Sequence, residues 1–369
     1  MLAHTETTAR MTQSLTDSRI NWVDYAKGIC IVLVVMMHTT LGVEKAAGME
    51  SWLHPFITWA KPFRMPDFFL ISGLFLASRI DRPWREYFDS KVLHFAYFYV
   101  LWMTIQAVTK AYGLYQIGGL DYVLHDYALG FIEPFGTLWF IYILAIFFIV
   151  VKFTRNIPPL LIFAIGAALE IAPIETGHLL IDEFASRFVY FFAGYWLARH
   201  VFNFAAAINT MGVPAIFAGL IIWGFGNTFM VGHDYAQIPG ISLPLGFIGA
   251  GAVISAGVLM LKFDFTKPLR YAGENSIVIY LAFFLFMAAT RTLLLRTHVI
   301  ADLGLISLAT TVVGVIGPIL LFWATRNNRL SLLFRRPAWA KLESRAPKWH
   351  SSGYVAYKQP KARRPSLSR

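Results

Sequence analysis

The stretch Lys27-Gly-Ile-Cys-Ile-Val-Leu-Val-Val-Met-Met-His38 decides how the chain is read. Ten residues separate the lysine from the histidine, and all but Gly28 are apolar. On an α-helix a step of eleven residues ends about 20° past three full turns, so both groups share one face, about 16 Å apart along the axis. Asp24 stands one turn before Lys27, near that face. Ionisable groups in an apolar helix of membrane length are costly, and by default they mark a functional site.

The rest of the chain agrees with a membrane setting. Of 369 residues, 57% are hydrophobic and only 14% charged, where a soluble domain carries about 25%. Apolar stretches near the ~20 residues that cross a bilayer fall at 22–43, 66–80, 93–114, 135–153, 159–174, 184–204, 213–231, 241–261, 276–295 and 303–325. The expected fold is an all-α polytopic membrane helix bundle of about ten transmembrane helices. Residues 1–20 read as a polar cytoplasmic segment without an apolar run, so the first span is expected to act as its own insertion signal. Residues 21–325 read as one membrane domain. Residues 326–369 read as a basic, disordered cytoplasmic tail.

That tail holds nearly all the excess charge. It has twelve Lys and Arg against one acid, Glu343, so the +11 of the whole chain is concentrated there and the remainder is balanced. Because it directly follows a membrane helix, it is read as resting on anionic lipid and not on nucleic acid. Arg79, Arg82, Arg85, Lys91, Lys152, Arg155, Arg199, Lys262, Lys267 and Arg270 fall on the connections of the tail's side. Acids and histidines such as Asp121, Glu133, His178, Asp182, His233 and Asp302 fall on the opposite connections. The positive-inside rule then puts both termini in the cytoplasm of a multi-pass protein of the inner (plasma) membrane. Cys30 is the sole cysteine, which excludes an intrachain disulfide and a cysteine metal cluster. No glycine-rich phosphate loop, zinc pattern or Ser-His-Asp signature stands out, and the scattered outer histidines support no metal site.

Several segments together resemble the acyltransferase-3 family, integral-membrane carbohydrate O-acyltransferases that include fucose O-acetylase-like proteins. The opening Asn21-Trp-Val-Asp24-Tyr-Ala-Lys27 and the following run to His38 resemble the family's first helix, with its Arg or Lys, ten residues, then His. Phe63-Arg64-Met-Pro-Asp67-Phe-Phe-Leu-Ile-Ser72-Gly73 resembles its aromatic, Ser-Gly helix. Leu138-Trp139-Phe140, Phe191-Phe-Ala-Gly194-Tyr195 and Tyr271-Ala-Gly273-Glu-Asn-Ser276-Ile-Val-Ile-Tyr280-Leu281 resemble its later motifs. Two features depart from the family. The late motif often continues into a histidine, but here Ala282 and Phe283 follow. The Arg-x-Arg pair that opens the third helix in many relatives is absent, and only Arg85, Lys91 and His94 stand in that region.

The resemblance implies an O-acyltransferase that moves an acyl group, acetyl in many relatives, from acyl-CoA to a hydroxyl of a cell-surface polysaccharide or glycolipid. Acyl-CoA would be a co-substrate, with no permanently bound cofactor. His38 is then the catalytic candidate, because attack of a hydroxyl on a thioester needs a base and imidazole suits that task. Lys27 would attract the donor's phosphates, or else snorkel to lipid headgroups. Asp24 would pair with Lys27 or orient it, or else simply open the helix. Arg64 would stabilise an oxyanion or bind substrate, unless it pairs with Asp67 three residues on. Ser72 reads chiefly as a packing residue beside Gly73. Lys91 and Ser276 complete the substrate-binding candidates, and Arg187, Glu274, Asn275 and Arg291 are further polar residues in or near spans. Two other readings share this composition: a transporter or flippase for a glycan or lipid-linked substrate, and a non-catalytic membrane partner. The Lys-His helix favours chemistry over transport, and the missing late histidine is the feature that speaks for the non-catalytic reading.

Overall fold

In the computed structural model the quoted stretch lies inside the first helix, α1 (Leu2–Ala47). The structure describes residues 2–134 and 136–342, and for residues 2–20 the backbone alone. The other helices are α2 (His54–Trp59), α3 (Lys61–Leu74), α4 (Trp84–Phe88), α5 (His94–Leu129), α6 (Trp139–Thr154) and α7 (Pro159–Ile171). They continue with α8 (Leu179–Trp196), α9 (Ala198–Thr210), α10 (Val213–Gly232), α11 (Ser242–Met260), α12 (Lys267–Glu274), α13 (Ser276–Thr297) and α14 (Leu303–Thr325). No strand occurs among the described residues. Helices α2, α3, α7, α10 and α12 carry a proline in their first two positions, where no backbone N–H is needed. Asp302 caps α14, accepting from the Leu305 N–H at 2.6 Å.

The fold is the expected helical membrane bundle, but fewer helices than expected meet the length and apolarity of a span. Seven do so among the described residues, within 21–47, 84–129, 136–154, 213–232, 242–260, 276–297 and 303–325. The segments expected at 66–80, 159–174 and 184–204 do not. α3 has 14 residues and α7 has 13, short of the ~20 that cross a bilayer. α8 carries Asp182, Glu183 and Arg187. The long segment at 84–129 is interrupted as well: Gly118 and Gly119 leave helical geometry, and Gly119 sits at φ 72°, a region open to glycine.

Helix α3 sits in the interior. Eleven of its 14 residues are buried, including Arg64 and Asp67. It crosses α8 through a pair of glycines. A Cβ on Gly73 would strike the Phe191 carbonyl, and one on Gly194 would strike the Leu70 carbonyl. Small residues at such crossings let two backbones touch, which is how helices associate where lipid removes the hydrophobic drive. Aromatic rings fill the space around this crossing. Phe147 packs against Phe69, Phe184, Phe188 and Phe191 with centroids 5.2–5.4 Å apart.

The two ends of the bundle differ. Beside residues 22–28 of α1, where its membrane-length part begins, lie the end of α11, where Gly257 meets Trp22, and α12, where Gly273 meets Asp24. The segment after α3 and the end of α6 join them: Lys152 donates to the Ile80 and Arg82 carbonyls. Beside the end of α1, Thr39 and Thr311 share a hydrogen bond of 2.6 Å, and Trp52 donates to Asp302 at 2.9 Å. His178 reaches Glu133 at 3.2 Å on the acid-rich connections.

The beginning of the basic tail packs against this bundle. The Tyr97 hydroxyl and the Trp102 indole donate to the carbonyls of Leu332 and Leu333 at 3.1 and 2.9 Å. Arg336 is buried in an ion pair with Asp89, whose Oδ1 also accepts from the Leu342 N–H at 2.8 Å. Residues 343–369, the remainder of the segment read as a disordered tail, lie outside the described residues.

Candidate functional site

Helix α1 carries Asp24, Lys27, Cys30 and His38, and each meets a different neighbour. Asp24 is buried and Lys27 half-buried; their ion pair is 3.5 Å long, as the i,i+3 spacing permits. The Lys27 ammonium also lies 5.7 Å from the centre of the Phe75 ring, just past α3. Gly28 and Gly273 allow α12 to lie directly on this turn. Lys27 is therefore held at one end of the bundle, with its head partly in solvent.

His38 is half-buried, and its ring centre lies 5.4 Å from that of Phe283 on α13. Phe283 belongs to the continuation of the late motif, where relatives often carry a second histidine. Here that segment reaches His38 with an aromatic wall. Arg64 on α3 is 7% exposed and lies within electrostatic reach of His38, Cys30 and Arg187. One guanidinium nitrogen donates to the Ile57 carbonyl at 3.2 Å, and Nε has no partner among the described residues. A buried cation with an unmade donor is costly and calls for an explanation.

Asp67 is fully buried and does not pair with Arg64; among the described residues no ion pair joins them. Its Oδ2 instead accepts from the Cys30 thiol at 2.5 Å, tying α3 to α1, and Oδ1 has no partner among the described residues. Asp67 thus contacts α1 through Cys30, apart from the Arg64 guanidinium. Ser72 donates back to the Phe68 carbonyl at 2.7 Å, a bond within its own helix that leaves no activated hydroxyl. Ser276 is half-buried in the first turn of α13, next to the Asn275 that precedes the helix.

Lys91 lies in one turn of π-helix, Asp89–Leu93, before α5. Its ammonium sits 4.5 Å from the centre of the Phe148 ring and within electrostatic reach of Arg79, Arg82 and Lys27. Sequence reading named Lys27 and Lys91 but used Arg79 and Arg82 only for sidedness. Their spacing just after the Ser-Gly helix was the available signal. Lys152 is different: it is 1% exposed and spends its charge on two carbonyls.

At the opposite end, α7 and α8 bring Glu170, Arg187 and Tyr190 together at the edge of a cavity of about 430 Å³. Arg187 pairs with Glu183 at 3.0 Å. Sequence reading noted Arg187 and missed Glu170, although a carboxylate inside an apolar segment is itself a signal. Glu44 and His54 lie on the same side. The buried Glu44 accepts from the Ser51 N–H and hydroxyl at 2.9 and 2.8 Å and reaches His54 Nδ1 at 2.8 Å. That hydrogen bond holds the His54 imidazolium above its usual range.

Among known proteins the chain is similar to the inner membrane protein YcfT of Escherichia coli (strain K12). The identity is 28%, over 41% of this chain and 48% of that protein. It is also 28% identical to the nodulation protein NolL of Mesorhizobium japonicum, over 43% of each chain. The matches thus span about half the length of these relatives. No solved structure matches. The family described as an acyltransferase domain, acyltransferase-3, matches residues 20–325. A match over that much of the chain, ordered around the Lys27–His38 helix, makes this multi-pass membrane protein a member of the acyltransferase-3 family.

Proposed function

We propose that the chain is an integral-membrane O-acyltransferase that moves an acyl group, acetyl in the simplest case, from acyl-CoA to a hydroxyl of a cell-surface carbohydrate or glycolipid. The observation that carries this reading is the packing of α3 on α1, joined by Cys30 and Asp67, which puts the buried Arg64, its Nε without a partner among the described residues, on the helix next to the one that carries His38. His38 takes the proton of the acceptor hydroxyl as its oxygen attacks the thioester carbonyl. The carbonyl oxygen becomes negative, and Arg64 stabilises it. The tetrahedral intermediate collapses, the C–S bond breaks, and the thiolate of CoA recovers the proton from the imidazolium.

Acyl-CoA is the partner that suits the other end of α1. Lys27, Lys91, Arg79 and Arg82 form a cluster of like charges, and an anion with several phosphates relieves their repulsion. They take the part of the missing Arg-x-Arg pair. A reach of about 16 Å along the helix suits a donor whose phosphates and thioester are far apart. Asp24 holds Lys27 in place. The proposed sidedness follows: both termini and the cation cluster face the cytoplasm of an inner-membrane protein, and the acid-rich end faces outward. The acceptor's identity is tested by mass analysis of surface glycans from cells with and without the protein. Loss of an acyl mass in cells without it, restored by the wild type and not by an equally abundant His38→Ala protein, supports the reading. Identical glycans, or transport of a glycan without consumption of acyl-CoA, overturns it.

A further inference from the structure

The cavity at the acid-rich end is bounded by Pro66 of α3, Glu170 of α7 and Tyr190 of α8, with Gln237 and Ser242 beyond them. Its volume, about 430 Å³, falls within the range of small-molecule sites, ~300–1,000 Å³. Glu170 is its most informative residue. One carboxylate oxygen accepts from the Tyr190 hydroxyl at 3.3 Å, while the other is buried with no partner among the described residues. Such an oxygen costs its full desolvation unless a donor fills the place. The charge balance is also one-sided. Glu170, Glu175, Asp182 and Asp234 line the cavity against Lys61 and Arg187. Asp182 is already engaged by the Thr176 and Gly177 N–H groups at 2.8 and 3.1 Å, and Arg187 by Glu183. What remains is a Glu170 oxygen that makes no hydrogen bond of full geometry among the described residues, with the Ser242 side chain and Arg187 near, and an excess of negative charge.

The cavity is linked to the reacting groups. Arg187 lies within electrostatic reach of both Glu170 and Arg64, and Arg64 within reach of His38. Pro66 lines the cavity from the same short helix that carries Arg64.

We propose that this cavity is the acceptor subsite and that it takes a neutral sugar ring, free of carboxylate and phosphate, with Glu170 accepting a hydrogen bond from a ring hydroxyl. This rests on the transferase reading for its role, but not for the binding itself. A ring hydroxyl supplies the donor that the buried oxygen lacks, whereas an anionic sugar meets more carboxylates than cations.

The test is binding of methyl β-D-glucopyranoside and methyl β-D-glucuronide to the full chain in lipid nanodiscs, followed by saturation-transfer NMR with no acyl-CoA present. The wild type is expected to bind the neutral glycoside at least about tenfold more tightly than the glucuronide. Glu170→Gln should weaken the neutral glycoside by about tenfold, the scale of one hydrogen bond to a charged group. Asp234 is exposed and at φ 58°, a conformation asparagine also adopts, so Asp234→Asn should keep the fold and narrow the gap between the two probes. Equal binding of both glycosides by the wild type overturns the proposal. So does unchanged neutral binding in Glu170→Gln. If acyl transfer to a glycan is intact while Glu170→Gln binds normally, the subsite falls and the transferase stands. If binding follows Glu170 but no acyl group ever moves, the transferase falls and the subsite stands.

Discussion

Around the Lys27 turn of α1 the cations Lys27, Lys91, Arg79 and Arg82 gather, with Asp24 paired to Lys27 and Asp89 to Arg336; at the His54 end, carboxylates outnumber cations around a cavity. The first arrangement is unfavourable without an anion, the second is unfavourable with one. On the proposed reading, one end takes a phosphate-bearing donor and the other a neutral acceptor. His38 lies between them, walled by Phe283 and within reach of Arg64. The difference teaches that α1 runs between two chemically different regions of the bundle.

The sharpest way to break this picture is at its middle. His38→Ala should reduce acyl transfer by roughly 10²–10⁴-fold, the usual contribution of a general base, with abundance in the membrane unchanged. Normal turnover by a well-folded variant would remove the imidazole from the mechanism. The donor end comes next. Lys27→Glu should raise the KM for acyl-CoA at least about tenfold, since a unit charge 4 Å from a phosphate is worth ~1–4 kcal/mol and 1.4 kcal/mol is tenfold. The KM for the acceptor should barely move, and Lys27→Gln should fall between wild type and Lys27→Glu.

A smaller effect is expected from the tail. Arg336 pairs with Asp89 in the turn that carries Lys91. Arg336→Ala should therefore raise the KM for acyl-CoA by about threefold while sparing the acceptor, in the range of couplings that act through a neighbouring element. An equal change for both substrates would make Arg336 a purely structural residue. The smallest effect concerns pH. His54 is raised by Glu44, so its stabilisation is fully present below the unfolded value near 6.5 and is lost as pH rises through the folded value. Thermal stability of the wild type should exceed that of His54→Gln by less than about 1 kcal/mol below pH 6. That margin should shrink as pH rises through the folded value; a margin that grows with pH would contradict the assignment.

Much of the helical framework was legible in the sequence because it is local. The last span was read at 303–325, and α14 is Leu303–Thr325. The pairing of Asp24 with Lys27 is likewise a matter of one turn. What was not legible depends on distant neighbours. Asp67 was offered Arg64 by spacing, yet bonds to Cys30, 37 residues away. Glu170 gains meaning only beside Tyr190, 20 residues on. The basic composition of 326–342 concealed the fact that Tyr97, Trp102 and Asp89 hold it. The segment at 66–80 reads as a span because an interior helix such as α3 is apolar for the same reason as a lipid-facing one, whereas α7 is outward-facing but short and α8 carries three charges.

The central claim is that donor and acceptor arrive from opposite faces and meet at His38. Sealed inverted membrane vesicles test it most directly, with methyl β-D-glucopyranoside trapped inside and acyl-CoA, which cannot cross lipid, added outside. Acyl glycoside forming inside these vesicles, and not in right-side-out vesicles given acyl-CoA externally, is the predicted result. Transfer that requires both substrates on the same face of the membrane would contradict the account.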